Sequence, residues 1–514
     1  MKLQRIHNAK KNLFYGIIAQ IISILMPFVM RTMLLYSLGM EYMGLNGLFG
    51  SILQVLNLAE LGVGSAMVFS MYKPIAEDDI QTLRALMRLY RLYYRIIGCV
   101  VGALGLSLIP FLHLLTHKEM PIGVNIYVIY LLYLFSSVFT YWLFSYKNCL
   151  LQAYQLEYVR SKIEIIMNIF KYILQLLALL FMHNFYLYVV CIFFTQITNN
   201  IITSVIVDRM FPGLYPYGKL CRKDISEING RIRDIFIQKI GNVINSNYGI
   251  LILSSFFGLG SLVKYQNYLY VISLPIAVSG VIMRSVIAGI GNSLLTENTK
   301  KNMHDFRILL TMHGLLSTIC CSGLVVLYRH FIYIWLGEEF IYPTRVSLLF
   351  IIWMYLTLND RVLNCYKEGA GIWNKDRFRL ICTAVAGVLF SLWLMKPLGE
   401  CGILIGCILS YVFICLPWLL YNIFSTVFPC GLCSFFRIVF KNILITFFSC
   451  CICFICCCSL PSEGILWFSI KGLIALTVSC LLLHICYHST EEYIVVLSLI
   501  KGLLRRKMNI NTRL

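Results

Sequence analysis

Apolar residues along this chain come in long, nearly unbroken stretches that are separated by short polar segments. A helix needs roughly 20 mainly apolar residues to cross a bilayer. By hydropathy we count about 14 such stretches, so the pattern predicts an all-α polytopic membrane protein. The predicted spans are 14–36, 44–70, 90–115, 122–146, 161–182, 186–207, 235–257, 266–291, 307–329, 346–363, 379–395, 400–424, 437–459 and 465–485. The first stretch lacks a small-residue cleavage site, so we expect it to be a retained helix.

Positive charges are distributed unequally among the connecting segments, and this distribution predicts the orientation. With the N-terminus in the cytoplasm, roughly 30 Lys and Arg residues fall in cytoplasmic segments and about 5 fall outside. The cytoplasmic charges are concentrated in the N-terminal tail, in 208–234 and in the C-terminal tail. We therefore predict a multi-pass cell-membrane protein with both termini in the cytoplasm. The net charge of +20 follows from this topology and favours contact with anionic lipid, not with nucleic acid.

Composition and motifs exclude several functional classes. Of 514 residues, 59% are hydrophobic and only 13% are charged, about half the charged fraction of a soluble domain. The predicted loops are too short for an extramembrane catalytic domain, and phosphate-loop, HExxH and GxSxG motifs are absent. A membrane glycan polymerase is the rival enzyme, but such enzymes usually present a large outer loop. We expect a transporter without a cofactor or a metal, and not an enzyme.

Cysteine is abundant, with 21 residues in the chain, six of them between Cys450 and Cys458. Most lie inside predicted helices, where cysteine packs as a small apolar residue. Metal binding is the alternative for the 450–458 cluster. Adjacent cysteines on a helix point in different directions, and no His or carboxylate falls among them. We therefore interpret them as packing residues.

A weak internal repeat relates the two halves of the chain. Aligning Leu38-Gly39 with Leu259-Gly260 also matches four later pairs: Asn46 with Asn267, Leu48 with Leu269, Phe49 with Tyr270, and Leu53 with Leu274. An even number of helices per half keeps the two repeats parallel. The repeat predicts an N-terminal six-helix bundle (1–207), an inter-bundle cytoplasmic loop (208–234), a second six-helix bundle (235–424), and two extra helices with a basic tail (425–514).

Polar residues at spacings of three and four form stripes on several predicted spans. The stripes comprise Gln20, Ser23, Pro27 and Arg31 on the first span; Asn46, Gly50, Gln54, Asn57, Glu60 and Gly64 on the second; Glu164, Asn168, Lys171 and Gln175 on the fifth; Gln238, Asn242, Asn245 and Gly249 on the seventh, with Ser246 and Asn247 beside them; and Ser273, Ala277, Gly280, Arg284 and Ala288 on the eighth. Polar groups are costly in lipid, so they face protein or water. A hydrated cavity between the halves is one explanation; helix–helix contacts are the other.

Charged stripe residues leave further alternatives open. Arg31 and Arg284 each require water, a carboxylate or an anionic ligand, unless they snorkel to the interface. Glu60 either pairs with Arg31 or provides a proton or cation site. Lys171 pairs with Glu164 or takes part in binding. An ordinary interface ion pair is the expectation for Asp360 with Arg361.

Several segments resemble bacterial polysaccharide (O-antigen type) flippases of the multidrug/oligosaccharidyl-lipid/polysaccharide exporter superfamily. They are Pro27-Phe28-Val29-Met30-Arg31, Leu38 through Asn46, Asn57 through Gly62, Ser70 through Ala76, and Gly369-Ala370-Gly371 leading to Asp376-Arg377. The resemblance extends over nearly the whole chain and is most specific in the first 80 or so residues. One departure is that many relatives carry Thr-Asp where this chain has Ser246-Asn247, which puts cation coupling through that helix in doubt.

The resemblance implies two six-helix bundles around a central cavity, with two further C-terminal helices. It also implies alternating access that carries an undecaprenyl-pyrophosphate-linked oligosaccharide to the outer leaflet, with glycan polymerase and glycosyltransferases as partners. Arg31 and Arg284 suit contact with the pyrophosphate, and Glu60 suits coupling. The accompanying substrate-binding set is Lys171, Gln54, Asn57, Asn242, Asn245 and Asn247. A multidrug or small-molecule cation-coupled antiporter is the alternative function, and a scaffold for glycan enzymes is a third.

Overall fold

A computed structural model describes residues 5–60, 62–116, 121, 123–372, 374–429, 431–461 and 464–498. Within the described residues the regular elements are helical. The α-helices are α1 (Arg5–Leu38), α2 (Met40–Leu56), α3 (Val63–Ala76), α4 (Ile80–Ser107), α5 (Leu112–Leu115), α6 (Ile126–Trp142), α7 (Asn148–Ala153), α8 (Glu157–Met182), α9 (Phe185–Met210), α10 (Arg222–Thr296), α11 (Thr299–Leu336), α12 (Thr344–Gly369), α13 (Arg379–Leu398), α14 (Glu400–Ser410), α15 (Leu416–Thr426), α16 (Leu432–Cys458) and α17 (Ile465–Tyr487).

The prediction of an all-α polytopic membrane protein is confirmed. Eleven of the described helices are long and apolar enough to cross a membrane, or twelve if the bent pair Ile126–Trp142 and Ser145–Ala153 forms one span. Two predicted spans, 235–257 and 266–291, fall in the single helix α10, which is kinked at Gly258. The large share of apolar residues on the surface, among them Phe181 at 78% exposed, fits lipid as the solvent.

The second predicted span is not one continuous helix, as the sequence pattern implied. α2 ends at Leu56, a 3₁₀ turn occupies Asn57–Glu60, and α3 begins at Val63. Gly62 has φ 94°, in the left-handed region, where a residue with a Cβ is strained. A Cβ at Gly62 would also lie 2.9 Å from the Ile232 carbonyl oxygen. The stripe from Asn46 to Gly64 is therefore divided among three short elements.

The chain forms two compact units, Met1–Val263 and Lys264–Leu514. In the first unit, α1 packs along α8, α8 along α9, and α6 against both α4 and α9. In the second, α13 packs along α14, and α11 contacts α12, α16 and α17. The division at 207, 234 and 424 that the repeat suggests stays a prediction.

Two features recur at matching positions in the two halves. Gly39, between α1 and α2, has φ 109° and ψ 177°, and Gly258 within α10 has φ 83° and ψ −179°. Asp79 caps α4 through the Thr82 amide, and Asn298 caps α11 through the Lys301 amide, at the same separation along the chain. The structural counterpart of Gly39 is thus Gly258, two residues before the Gly260 that the sequence alignment chose.

Small polar residues make hydrogen-bonded contacts between α11, α16 and α17. Thr318 on α11 hydrogen-bonds to Thr446 on α16 at 2.8 Å, and Ser322 to Ser449 at 2.8 Å. Ser449 in turn donates to Ser479 on α17 at 3.2 Å. Such contacts suit a membrane, where apolar burial gives little drive for helices to associate and close packing with hydrogen bonds supplies it instead.

Candidate functional site

Glu60 lies where the second span is interrupted, and both of its carboxylate oxygens accept hydrogen bonds. Tyr94 on α4 donates to Oε1 at 2.5 Å, and Tyr141 on α6 donates to Oε2 at 3.0 Å. Tyr90, one turn before Tyr94, donates to the Tyr94 hydroxyl at 2.9 Å. The three tyrosines are each 4% exposed or less. These hydroxyls replace much of the hydration that a carboxylate loses inside a membrane.

Three hydroxyl-bearing residues on one face of α6 donate hydrogen bonds to polar residues of α2 and the 3₁₀ turn. Tyr133 donates to Asn46 Oδ1 at 2.5 Å, and Ser137 donates to Asn57 Oδ1 at 2.8 Å. Tyr141, the third, is the donor to Glu60. Their spacing of four residues places them on one helical face. Sequence reasoning missed this face because tyrosine is counted among the hydrophobic residues of the composition, although an i, i+4 hydroxyl search would have found it.

A cavity of about 270 Å³ opens beside Glu60 within the first unit. Its walls include Tyr90 and Tyr94, and two cationic residues, Arg160 and Lys239, also contribute. Arg160 is already engaged, with Nε 2.9 Å from Glu164 and Nη1 3.2 Å from Glu157. The cavity is therefore lined by opposite charges and hydroxyl groups, a composition suited to water or a small cation more than to an extended apolar ligand.

The cationic candidates of the first unit lie apart from this cavity. Arg31 is half-buried on α1, and Lys171 is half-buried on α8. Lys171 Nζ donates to Asn168 Oδ1 at 3.1 Å and lies 4.4 Å from the Tyr172 ring centroid. Glu164 is bonded to Arg160, whereas Lys171 contacts Asn168 and Tyr172, its neighbours on α8. The proposed pairing of Lys171 with Glu164 is therefore wrong.

The amide candidates differ in how accessible they are. Gln54 on α2 and Asn242 on α10 are exposed, while Asn245 is half-buried. Asn247 is 1% exposed and donates from Nδ2 to the Val243 carbonyl at 2.8 Å. Asn57 is half-buried and bonded to Ser137. The side chains of Gln238, Arg284 and Ala288, which the sequence analysis also selected, lie outside the described residues.

A second polar cluster, which sequence reasoning largely missed, is buried in the second unit around Asp376. Arg379 contacts both Asp376 oxygens, at 2.7 and 3.1 Å, and Lys367 Nζ lies 3.0 Å away. Arg379 is 1% exposed. Asn364 links this group to Asp360, because it accepts from Arg379 Nη2 at 3.0 Å and donates to Asp360 Oδ2 at 2.5 Å.

Asp360 is therefore part of a hydrogen-bonded network, and more than the ordinary interface pair with Arg361 that the sequence predicts. Its other oxygen accepts from the Tyr411 hydroxyl at 3.0 Å. Arg361 lies against Gly280, where its Nη1 is 2.9 Å from the position a Cβ would take. In the first unit, the buried Lys147 Nζ contacts the exposed Asp208 carboxylate at 2.6 Å and the Ser204 hydroxyl at 2.7 Å.

The cysteines of the 450–458 segment lie on α16, and Cys453 and Cys457 are buried. Cys453 Sγ lies 3.8 Å from the Ala475 carbonyl oxygen and 3.9 Å from Ser479 Oγ on α17. Within the described parts of the chain, no three His, Cys, Asp or Glu side chains gather as a metal site would require. These two cysteines pack helix against helix.

Comparison with known proteins identifies the fold. No protein-family model and no curated protein sequence matches the chain. Among solved structures, the lipid II flippase MurJ in an inward closed conformation matches with TM-score 0.70 at 14% identity, over 93% of this chain and 99% of that one. An inward-facing multidrug resistance MATE transporter of the MOP superfamily matches with TM-score 0.60 at 13% identity, over 76% and 92%.

A mutant MATE transporter from Vibrio cholerae also matches, with TM-score 0.57 at 15% identity, over 81% of this chain and 96% of that one. Similarity at these identities concerns the fold. This chain is thus a multi-pass membrane protein with the helical fold of the lipid II flippase and the MATE transporters.

Proposed function

We propose that this protein flips a polyprenyl-pyrophosphate-linked oligosaccharide from the cytoplasmic to the outer leaflet of the cell membrane, by alternating access. The observation that carries the proposal is the extent of the flippase match. The match covers 93% of this chain, and the residues outside it are fewer than those of α16 and α17 together. It therefore includes part of this C-terminal helix pair. The matched protein is a flippase of lipid II, a lipid-linked substrate.

The proposed substrate contacts are those that the sequence pattern selected. Arg31 and Arg284 would bind the pyrophosphate, because a guanidinium forms two parallel hydrogen bonds with phosphate oxygens. Gln54 and Asn242, which are exposed, are the amides best placed to hydrogen-bond sugars. The proposed set is completed by Lys171, Asn57, Asn245 and Asn247. Asn57 is hydrogen-bonded to Ser137 and Asn247 to the Val243 carbonyl, so we propose that these two act by holding their helices in position.

Glu60 is the proposed coupling residue of the first unit. A carboxylate inside a membrane helix bundle is costly and usually has a function. It lies where a membrane helix is interrupted, and interrupted helices commonly form ion and substrate sites in transporters. Glu60 borders a cavity that suits water or a small cation. Exchange of a proton or cation at Glu60 would couple an ion gradient to transport.

The intramembrane carboxylate of Glu60 also favours a second candidate function, a cation-coupled antiporter of drugs or other small molecules. Such a transporter needs an intramembrane carboxylate, and Glu60 provides one. Organic cations prefer carboxylates, whereas the arginines on the polar stripes favour anionic cargo. The charge of the transported molecule therefore distinguishes the two functions.

Reconstituted protein tests this distinction. Proteoliposomes carry a fluorescently labelled undecaprenyl-pyrophosphate disaccharide, and a membrane-impermeant quencher measures the fraction accessible from outside. We expect the protein to raise the rate of exchange between leaflets above that of empty liposomes. A parallel arm measures uptake of ethidium, an organic cation. Ethidium uptake without lipid exchange would establish the antiporter and contradict the flippase.

Location and partners follow from the same proposal. We propose cytoplasmic termini because Lys and Arg are concentrated in the segments that would then face the cytoplasm. If the substrate is assembled at that face, glycosyltransferases act upstream and glycan polymerase downstream as partners. Cysteine-accessibility labelling of added terminal tags in whole cells tests the orientation. Labelling of either tag from outside the cell would contradict it.

A further inference from the structure

A groove of about 620 Å³ runs along the second unit, outside the polar clusters described above. Two rows of side chains, each spaced by four residues and therefore aligned along the helix axis, form its walls. The rows are Phe413, Pro417 and Tyr421, and Ile414, Trp418 and Asn422. Phe413 is 67% exposed and Tyr421 72%, whereas Asn422 at 2% lies at the floor. The groove thus has apolar, aromatic walls over a polar base.

Local backbone structure explains the concave shape. A π-helical turn occupies Tyr411–Cys415, immediately before α15. Such a turn widens the helix by one residue and is frequent at functional sites. Pro417 follows it near the start of α15, and because proline has no N–H, it cannot bond to the Phe413 carbonyl one turn earlier. The regular helical surface is therefore interrupted along this face.

Lys375 supplies a positive charge at the edge of the groove. Its backbone carbonyl accepts from Trp418 Nε1 at 3.1 Å and from Asn422 Nδ2 at 3.5 Å, which holds the 374–376 turn against α15. The Lys375 side chain is exposed and lines the groove. In the part of the chain that the structure describes, Lys375 forms no ion pair. Its ammonium is therefore available to an anionic group.

The nearest acidic residue does not cancel this charge. Asp376 is 5% exposed and directed inward, where Lys367 and Arg379 bind it. Arg377, the next residue, is exposed and adds a second cation to the same turn. The turn thus presents excess positive charge beside an apolar groove.

We propose that this groove binds an anionic phospholipid, with an acyl chain between Phe413 and Trp418 and the headgroup phosphate at Lys375. Charge complementarity is the main argument. The distribution of Lys and Arg along the sequence also predicts that the 374–376 turn faces the cytoplasm, where the leaflet is rich in anionic lipid. Trp418 and Tyr421 are the residue types enriched at that depth. This lipid would be a bound component of the protein, separate from the transported cargo.

Native mass spectrometry of the full-length protein in detergent tests the proposal. Phosphatidylglycerol and phosphatidylcholine with identical acyl chains are the probes, and bound lipid is counted over a titration. We expect saturable binding of one phosphatidylglycerol. Lys375→Gln should weaken it about fivefold, the effect of removing one cation near an anionic headgroup. Lys396→Gln is the matched control, because Lys396 is also exposed but lies at the far end of α13.

A second variant tests the contribution of the groove's shape independently of the charge of Lys375. Ile414→Trp retains Lys375 but fills the groove, and it should reduce phosphatidylglycerol binding while the elution profile of the protein is unchanged. Three outcomes would overturn the proposal: phosphatidylcholine binding as tightly as phosphatidylglycerol, unchanged binding in both variants, or displacement of phosphatidylglycerol by equimolar undecaprenyl phosphate. The last would assign the groove to the cargo lipid.

Discussion

The Tyr94 hydroxyl donates a hydrogen bond to Glu60 Oε1 at 2.5 Å, across from α4 to the 3₁₀ turn that interrupts the second span. Tyr141 completes the arrangement from α6. The carboxylate is thereby held at a break in a membrane helix, beside a small polar cavity.

Glu60→Gln should abolish coupling to an ion gradient without affecting folding. The amide oxygen accepts one of the two tyrosine hydrogen bonds, so we expect normal protein levels. The amide cannot exchange a proton, so transport in proteoliposomes should lose its dependence on an imposed pH or sodium gradient. Glu41→Gln, at the exposed start of α2, is the control. Gradient dependence equal to that of the wild type would exclude Glu60 from coupling.

Arg31→Ala and Arg284→Ala should each abolish export of the lipid-linked glycan while protein levels stay normal. A lysine at either position should restore only part of the activity, because it lacks the two-pronged geometry of guanidinium. Surface glycan measured in cells, with protein quantified by immunoblot, checks this. Full export by both alanine variants would rule out the proposed pyrophosphate contacts.

Gly98→Ala should destabilise the contact between α4 and α6 that positions Tyr94 and Tyr141. A Cβ at Gly98 would lie 2.4 Å from Trp142 Nε1 and 2.7 Å from its Cδ1, so the indole must move. Overpacking of this kind typically costs about 1–3 kcal/mol. The matched control is Gly102→Ala one turn later, where the nearest atom, on Val138, is 3.6 Å away. Thermal unfolding in detergent should distinguish them, and equal midpoints would contradict the predicted overlap.

Asp376→Asn should be strongly destabilising, because the buried Lys367 and Arg379 would lose the carboxylate that contacts both of them directly. Breaking a buried ion pair from one side typically costs about 3–5 kcal/mol. Arg377→Gln, at the exposed neighbouring position, should have little effect. The yield of monodisperse protein and its unfolding midpoint are the measurements. A wild-type midpoint for Asp376→Asn would show that the network contributes little to stability.

The cap of α4 should make stability depend on pH. Hydrogen bonds from the Thr82 hydroxyl and amide lower the pKa of Asp79 below its ordinary value of 3.8. A lowered pKa in the folded state means that the cap stabilises the protein above about pH 4 and loses this effect as the pH falls through the folded value. The difference in unfolding midpoint between wild type and Asp79→Ala should therefore shrink on acidification. Asn298→Ala, at the matching uncharged cap, should show a difference that does not vary with pH.

The sequence by itself determined the membrane class and the all-helical architecture, because crossing a bilayer requires long apolar stretches that hydropathy reveals directly. It also identified Asn46, Asn57 and Glu60 as unusual, since polar groups in such stretches need partners. It did not predict the break at Asn57–Glu60. Helical periodicity continues through those residues, and the break depends on Gly62 lying against Ile232 far along the chain.

Only the tertiary structure supplied the partners. Tyr94 and Tyr141 are counted among the hydrophobic residues of the composition, and their hydroxyls acquire a role only when α4 and α6 bring them to Glu60. Asp376 and Arg377 are adjacent charged residues of opposite sign, yet Asp376 is buried between two cations and Arg377 is exposed. Apolar length is a local property that one segment displays alone, whereas hydrogen bonding and charge compensation require groups that folding brings together from distant helices.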